Sequence, residues 1–568
     1  MAARRDHLTT APSAKAVPGP SAAVTASVKS IAVLPFENLT GRAEDAYLAD
    51  GLQEEVLNAL ARMRDLHVIS RTSASEFHGA ALNLREVGER LGVGSVLEGS
   101  VRREGRKLRL TVQLIDAASD RHLLATDYDR DIDHILGLQS EVALKVADAL
   151  AATLSGYERG ELERVATNNG DAYTLYLRAV AKWRMPTPTD DLGVVEPRRS
   201  LEQAARLDPD YSDAVALLSQ ACTWHYFEYR DDADSSCARS NFERALALDP
   251  QLPEARLARG LYEMYVMADL DRALSDLDAV VQVRPNSADA QSVLGLALRR
   301  LGRFDEALVH FKRAWDLDPL DHRYDLGVLT TLLGLRRFPE LHEQIELHLR
   351  RFPTIGYAYI MRAYVECQMQ HSHEPLVLAY RDHGSALTAE ERPQAESDVA
   401  RVEGRYQDAA RLRLASRFAS SFENVQAAGY LYWAAGMREE SAQMFRASER
   451  EAQSRLAQVP SDDDAREKLA LAQSMLGEHA AALATIDAVR ATLPESHDRI
   501  NGPQISFMRS IILVRAGRTA EGYAEVNRLL RVPFGAPALL WDNGDAEMVL
   551  TVKDDPHFNE IVNNPPRL

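Results

Sequence analysis

The sequence predicts two architectures in one chain: an α/β amino-terminal domain with a mixed sheet, then an all-α superhelix of repeated helical hairpins. Three observations carry this. Up to about residue 155, short apolar runs closed by turn residues alternate with amphipathic stretches of helical spacing. From Asp171 onward the apolar spacing is helical almost without interruption. Within that stretch, Asp-Pro or an equivalent step closes successive units at Pro209, Pro250, Pro285, Pro319 and Pro353, at intervals of 41, 35, 34 and 34 residues.

In chain order, the Ala-, Ser- and Pro-rich leader, residues 1–28, offers little to bury and is expected to be disordered. Ile31-Ala-Val-Leu34, closed by Pro35, has the pattern of a buried strand. Residues 44–62 form an amphipathic helix, with Leu48, Leu52, Val56, Leu57 and Leu60 on its inner face. Leu66-His-Val-Ile69 is a second strand, followed by the polar Ser70-Arg-Thr-Ser73. A short helix over Asn83–Leu91 stops at Gly92. Three strands follow over 93–103, 107–115 and 121–128, the middle one alternating Leu108, Leu110, Val112 and Leu114. A helix over 132–154 carries Ile135, Leu138, Val142, Val146 and Leu150 on one face.

The array begins after a helical linker at 156–170. A period of about 34 residues in a helix–turn–helix pattern is the signature of tetratricopeptide repeats. In the best unit, Ala288 to Pro319, Leu294-Gly295 lets two helices approach and Gly302 makes the turn, while Ala307, Phe311 and Ala314 interlock the second helix with its neighbours. The unit before it repeats Ala273, Leu277 and Val280 but places Gly260 one position early. Clear repeats are expected over 171–355. Degenerate ones follow over 356–533, where Gly404, Gly436, Gly477 and Gly517 echo the Gly302 turn, and a capping tail covers 534–568.

The 568 residues are 46% hydrophobic and 26% charged, with a formal net charge of −18. That balance argues against a broad phosphate-binding surface, so no direct nucleic-acid contact is expected. Cys222, Cys237 and Cys367 make no disulfide framework or metal spacing and are expected as partly buried apolar residues. No apolar signal core and no membrane span are present, so the expected place is the cytoplasm. The periplasm is the alternative, should a membrane segment lie upstream.

The stretches Ile31-Ala-Val-Leu-Pro-Phe-Glu-Asn38, Tyr47-Leu-Ala-Asp-Gly-Leu52, Val68-Ile-Ser-Arg-Thr-Ser73, Leu97-Glu-Gly-Ser-Val-Arg-Arg103, Gln113-Leu-Ile-Asp-Ala117 and Tyr128-Asp-Arg130 occur in order over about a hundred residues. On these motifs, residues 29–155 resemble the TolB-like (FlgO-like) amino-terminal domain family. Leu124 and Ser95 replace aromatic residues common there. The resemblance implies repeats behind the domain and an output domain before it: a winged-helix domain as in CadC-like regulators, a class III adenylate cyclase or a serine/threonine kinase. The residues before Ser30 are too few for any of these. The expectation is a sensing and docking half that acts in trans. The alternative is the sensory portion of a truncated regulator whose output domain lies upstream. The resemblance implies no catalytic residue.

Chemistry-bearing motifs are sparse. Gly92-Val-Gly94 follows a helix and precedes a strand, the reverse of a dinucleotide loop. Asp127, Asp129, Asp131 and Asp133 alternate, but Ile132 and Leu138 occupy the turn-glycine and bidentate-glutamate positions of a calcium loop, so a strand end and a helix cap are expected instead. His371-Ser-His373-Glu374 lacks a matching second cluster. No catalytic, cofactor-binding or metal residue is therefore assigned, and no cofactor. Arg71 is expected either to hold an anion or, more naturally, to pair with an acid such as Glu98. Partner binding is expected in the repeat groove, where the register of the tetratricopeptide family that the units resemble implies that Tyr262, Tyr265, Ser292, Arg299 and Arg300 face inward, since aromatic and Arg side chains anchor protein interfaces. The expected partners are proteins, and self-association stays open.

Overall fold

The computed structural model describes residues 29–77, 83–131, 137–164, 166–183, 191–352, 356–370, 372–389, 391–416, 422–534, 546–552 and 554–563. The leader 1–28, Ile132, Asp133, Ile135, Pro353 and His371 lie outside the described residues.

Six strands make one mixed sheet: β1 (Lys29–Val33), β2 (Glu37–Asn38), β3 (Leu66–Ile69), β4 (Ser95–Glu104), β5 (Lys107–Asp116) and β6 (Arg121–Asp131). The order is β3-β1-β4-β5-β6, with β2 beside β4. The β1 strand runs parallel to both β3 and β4, which explains its unbroken apolar run, since a central parallel strand is covered on both faces. From β4 to β6 the chain is an antiparallel meander, and Leu108, Leu110, Val112 and Leu114 all turn inward.

Helix α1 (Ala46–Ala61) covers that inner face through Leu48, Leu52, Val56 and Leu60. Ser70–Ser73, expected only as a polar stretch, opens a short helix α2 (Arg71–Ser75). Helix α3 (Leu84–Leu91) is capped by Asn83 and ended by Gly92 in the left-handed region. Helix α4 (Leu138–Ala149) begins after Gly137, whose φ is 79° and which offers no side-chain cap. Asp127, Asp129 and Asp131 lie at the end of β6, the strand end expected of them, while Asp133, where a cap was expected, lies outside the described residues. Asp129 takes a two-bond ion pair from Arg109, at 2.7 and 2.8 Å, and Asp127 accepts from Thr111.

Helix α5 (Gly156–Glu163), closed by a Ser155/Glu158 capping box, leads into the array. Its helices pair as antiparallel hairpins: α6 (Gly170–Lys182) with α7 (Asp191–Leu207), α8 (Ser212–Tyr229) with α9 (Asp232–Leu248), α10 (Pro253–Tyr265) with α11 (Leu270–Val283), α12 (Ala288–Arg300) with α13 (Phe304–Leu317), and α14 (His322–Gly334) with α15 (Phe338–Arg351). The pattern continues with α16 (Gly356–Gln370) and α17 (Glu374–His383), α18 (Arg392–Val402) and α19 (Tyr406–Ala415), α20 (Phe422–Ala434) and α21 (Arg438–Gln458), α22 (Asp463–Met475) and α23 (His479–Thr492), α24 (Asn501–Arg515) and α25 (Thr519–Leu529). Short helices α26 (Ala546–Val549) and α27 (Pro556–Asn563) follow, and Met548 and Phe558 join the core of the last hairpins.

Close packing explains the repeat glycines. A Cβ on Gly295 would stand 2.8 Å from the Phe311 ring, and one on Gly260 would stand 2.9 Å from Leu277, so the glycine one place early does the same work in its own unit. At the turn, Gly302, Gly404, Gly436, Gly477 and Gly517 all have φ between 76° and 89°. Arg230, Ala268 and Arg336 hold the same position without being glycine, at φ 56°, 54° and 55°.

Two features lie beyond the sequence reading. Cys222 and Cys237 are joined as a disulfide across the α8–α9 hairpin, with Cα atoms 5.9 Å apart; only Cys367 is a free, buried thiol. The antiparallel turn of that hairpin brings together cysteines 15 residues apart, which corrects the reading of three thiols. Second, the α/β core does not end with the sheet. Leu52, Val56 and Val142 share one continuous apolar cluster with Tyr173, Leu177, Tyr211 and Ala255 of the first hairpins. Gly51 permits this contact, since a Cβ there would stand 2.9 Å from Leu177.

Candidate functional site

Two of the loops that close repeats, those at Pro285 and Pro319, hold the α/β domain. Asn286, buried beside Pro285, donates to the carbonyls of Met63 (2.9 Å) and Leu66 (2.6 Å) and accepts from Arg313 (2.8 Å). One repeat later, the fully buried Asp318 accepts from the Ser73 amide (3.0 Å) and the Ser73 hydroxyl, which in turn accepts from Leu320 N at 2.7 Å. Burial pushes the Asp318 carboxyl up to about 6. Between these contacts and α5, a charged network runs inside the joint. Arg284 pairs with Glu254 at 2.8 Å and reaches Glu161 at 4.0 Å, and Arg164 pairs with Asp213 at 2.6 Å.

Arg71 belongs to this joint. Its guanidinium faces Glu54 at 3.6 Å and donates to the Ala181 carbonyl at 3.0 Å, tying the α/β domain to the end of α6. The expected partner Glu98 is on β4, and β1 lies between β4 and the β3 strand that leads into Arg71. The pairing with Glu98 is therefore corrected to one with Glu54.

The array's free surface lies elsewhere. Arg300 forms an ion pair at 2.9 Å with Asp498, which stands just before α24, while its carbonyl accepts from Arg499 N at 2.7 Å. Phe534 N donates to Gly334 O at 3.1 Å, and its ring stacks on Phe304. These contacts bring the last hairpins against the middle ones. Between them opens a cleft of about 500 Å³, walled by the ends of α8, α10 and α12 on one side and by α22 to α24 on the other.

Of the five inward residues expected to meet a partner, Tyr265, Arg299 and Arg300 line this cleft. Tyr265 packs between Phe227 and Trp224, with ring centres 4.9 and 5.2 Å away. Arg299 lies over the Phe311 ring and donates to the Thr330 hydroxyl at 2.5 Å. Burial lowers its guanidinium to about 10, with the neighbouring Arg300 charge adding to the effect, so it remains a cation at neutral pH. Tyr262 is placed apart, buried against Phe242 in a second hollow of about 370 Å³ with Arg259 and Glu263. Ser292 is packed within α12, 9% exposed.

The sequence reading missed the outer lip, Phe227 and Arg230, and the far wall, Asp462 to Asp464. A signal for the lip was present. Trp224-His-Tyr-Phe-Glu-Tyr229 crowds aromatic rings at one helix end, where Phe227 is 38% and Tyr229 47% exposed. Nothing in the sequence places residues about 200 positions apart on facing walls. Among the described residues, no three His, Cys, Asp or Glu gather as a metal site, and no helix is long and apolar enough to cross a membrane.

With this geometry in place, the α/β part has a match among protein families. Residues 27–158 match the HilA/YgeH-like transcriptional regulator, second domain. A protein of Rhizobium meliloti named "Putative adenylate cyclase 3" is 36% identical over 193 residues, 34% of this chain and 32% of that protein. Anaphase-promoting complex subunit 3 of Schizosaccharomyces pombe is 25% identical over 179 residues, 30% of this chain and 25% of that protein. The chain thus spans about a third and a quarter of the curated relatives it matches. Among solved structures, a tetratricopeptide repeat protein of Thermus thermophilus aligns over 35% of this chain and 95% of its own, at 23% identity and a TM-score of 0.25. One from Parabacteroides merdae aligns over 53% and 99%, at 15% identity and a TM-score of 0.32.

Proposed function

We propose that this chain is a non-enzymatic adaptor of a bacterial regulatory system, which captures a segment of a partner protein in the cleft between α8–α12 and α22–α24. The observation that carries the reading is the cleft itself: an open space of about 500 Å³ with Phe227, Tyr265 and Arg299 in its wall. Aromatic and Arg anchors around a concave, partly apolar space are what protein recognition favours. The joint at Asn286, Asp318 and Arg71 supports a division of labour, because it uses α6 and the Pro285 and Pro319 loops on the α/β domain and leaves the cleft to a partner. The TolB-like resemblance of residues 29–155 and the transcriptional-regulator match over 27–158 support a regulatory setting. In this reading the chain acts in trans on a separately encoded cyclase, kinase or transcription factor, without contacting nucleic acid itself.

A second reading makes the same module the sensory portion of a longer regulator, and the 36% identity with "Putative adenylate cyclase 3" supports it. Both readings need the cleft to bind. The test is affinity capture with the full chain, its Phe227→Asp variant and a control, Tyr157→Asp, at an exposed tyrosine on α5. A partner retained by the wild type and the control but lost with Phe227→Asp is expected. Equal capture by all three would overturn the assignment to the cleft.

A further inference from the structure

We infer that the cleft takes an acidic peptide segment carrying one aromatic or leucine anchor, its carboxylates meeting Arg230 and Arg299 and its anchor meeting the Phe227 and Tyr265 rings. This rests on the reading of the cleft as the partner site and names the chemistry of what enters it.

A plain count of charges misleads here, because Asp462, Asp463, Asp464 and Glu467 line the cleft against only Arg230, Arg299 and Arg300. The acids, however, are largely answered: three cations meet the four of them, with Arg455 shared by two. Asp462 pairs with Arg455 at 2.7 Å and caps α22 through the Ala465 amide. Asp463 pairs with Arg466 at 2.5 Å and accepts from Thr492 at 2.7 Å. Asp464 lies 3.5 Å from Arg455, and Glu467 lies 3.0 Å from Lys468.

On the opposite wall Arg300 is answered by Asp498. Arg299 has only the neutral Thr330 hydroxyl and the face of Phe311. Arg230 lies over the rings of Tyr226 and Phe227, and among the described residues no carboxylate stands within ion-pair reach of it. Two unpaired arginines against one acid in excess leave the balance of the cleft positive, although the chain as a whole is at −18. At physiological salt a charge is screened beyond about 8 Å, so the two near arginines, not the distant surplus of acids, decide what enters. The lowered guanidinium of Arg299 agrees with this: burial outweighs the pull of Tyr265 and Asp498, and Asp498 is paired with Arg300, so Arg299 has no anion of its own. An arriving carboxylate would supply it, through a charge-assisted hydrogen bond in a partly dry site.

The fold offers a variant that separates binding from folding. Arg230 ends α8 at φ 56°, a conformation that glycine adopts without steric cost. Arg230→Gly removes the cation while easing the backbone. The experiment is selection from a random-peptide display library on the immobilised full chain, counting only peptides whose binding is lost with Phe227→Ala. The expected result is that these peptides are net negative with an aromatic or leucine residue. A synthetic representative should bind about tenfold more weakly to Arg230→Gly and to Arg299→Gln, with the melting temperature of Arg230→Gly no lower than wild type. If the cleft-dependent peptides are neutral or basic, or if acidic ones ignore both substitutions, this inference is overturned while the cleft remains a partner site. If no selected peptide depends on Phe227, the reading of the cleft itself falls.

Discussion

Replacing Asn286 with alanine removes the side chain that holds the α/β domain against the repeat loops. The amide donates to two main-chain carbonyls, Met63 and Leu66, across the joint, and its oxygen accepts from Arg313. Asn286 is 6% exposed, so water does not readily replace these bonds. A buried polar group left without a partner costs about 1–3 kcal/mol. The Met63 carbonyl keeps the Leu66 amide at 3.2 Å, which reduces its share. The Leu66 carbonyl and the Arg313 guanidinium both lose this partner, so the sum is about 2–4 kcal/mol. Urea unfolding followed by circular dichroism measures it, and hydrogen exchange locates it, with faster exchange expected at β3 and at the Pro285 loop. Asn241→Ala is the control, because among the described residues Asn241 bonds only within its own helix, to Cys237. A loss below about 0.5 kcal/mol, the level of an ordinary surface substitution, would refute the argument that this joint is locked.

Three further outcomes follow from the same structure. Ala268→Gly should stabilise the chain by about 0.5 kcal/mol, because relief of left-handed strain outweighs the extra freedom of glycine when unfolded; Gly517→Ala, with open space around its Cβ, should cost about 1 kcal/mol. Thermal melts of the two variants read both signs. Burial raises the Glu55 carboxyl from 4.5 to about 7, so the folded chain holds this proton more tightly than the unfolded one and stability falls as pH rises from 4.5 through 7. Glu55→Gln should therefore gain about 1–3 kcal/mol at pH 8 and nothing below pH 4.5, measured as unfolding free energy against pH. Arg300→Ala breaks the ion pair to Asp498, which is 3% exposed yet keeps bonds from Asn501, and should cost about 2–4 kcal/mol with faster exchange at the start of α24. Unchanged exchange there would show that the cleft is held by other contacts.

Much of this fold is legible in the sequence because its signals are local. The apolar run Ile31–Leu34, the alternation Leu108–Leu114 and the turn glycines from Gly302 to Gly517 each report one strand, one sheet face or one hairpin. What stays hidden depends on distance along the chain. Arg71 meets Glu54 rather than Glu98 because strand order, which no single segment encodes, puts β1 between β3 and β4. The repeat prolines mark unit ends but not that Asn286 and Asp318 beside them grip the α/β domain. The tetratricopeptide register turns Tyr265, Arg299 and Arg300 inward, along with Tyr262 and Ser292, which lie outside the cleft, whereas the facing wall at Asp462 to Asp464 follows only from how the superhelix curves. Ala268 and Arg336 conceal two turns, since each holds a glycine conformation without being glycine.

In the proposed function the partner's segment enters the cleft between the middle and last hairpins. Hydrogen exchange on the full chain, alone and saturated with the partner that Phe227→Asp fails to capture, tests it most directly. Slower exchange is expected at residues 226–231, 296–301 and 461–467, on both walls at once, with the joint at Met63–Ser73 unchanged. Protection confined to the Pro285 and Pro319 loops or to the sheet, with both cleft walls exchanging as in the free chain, would contradict the proposal.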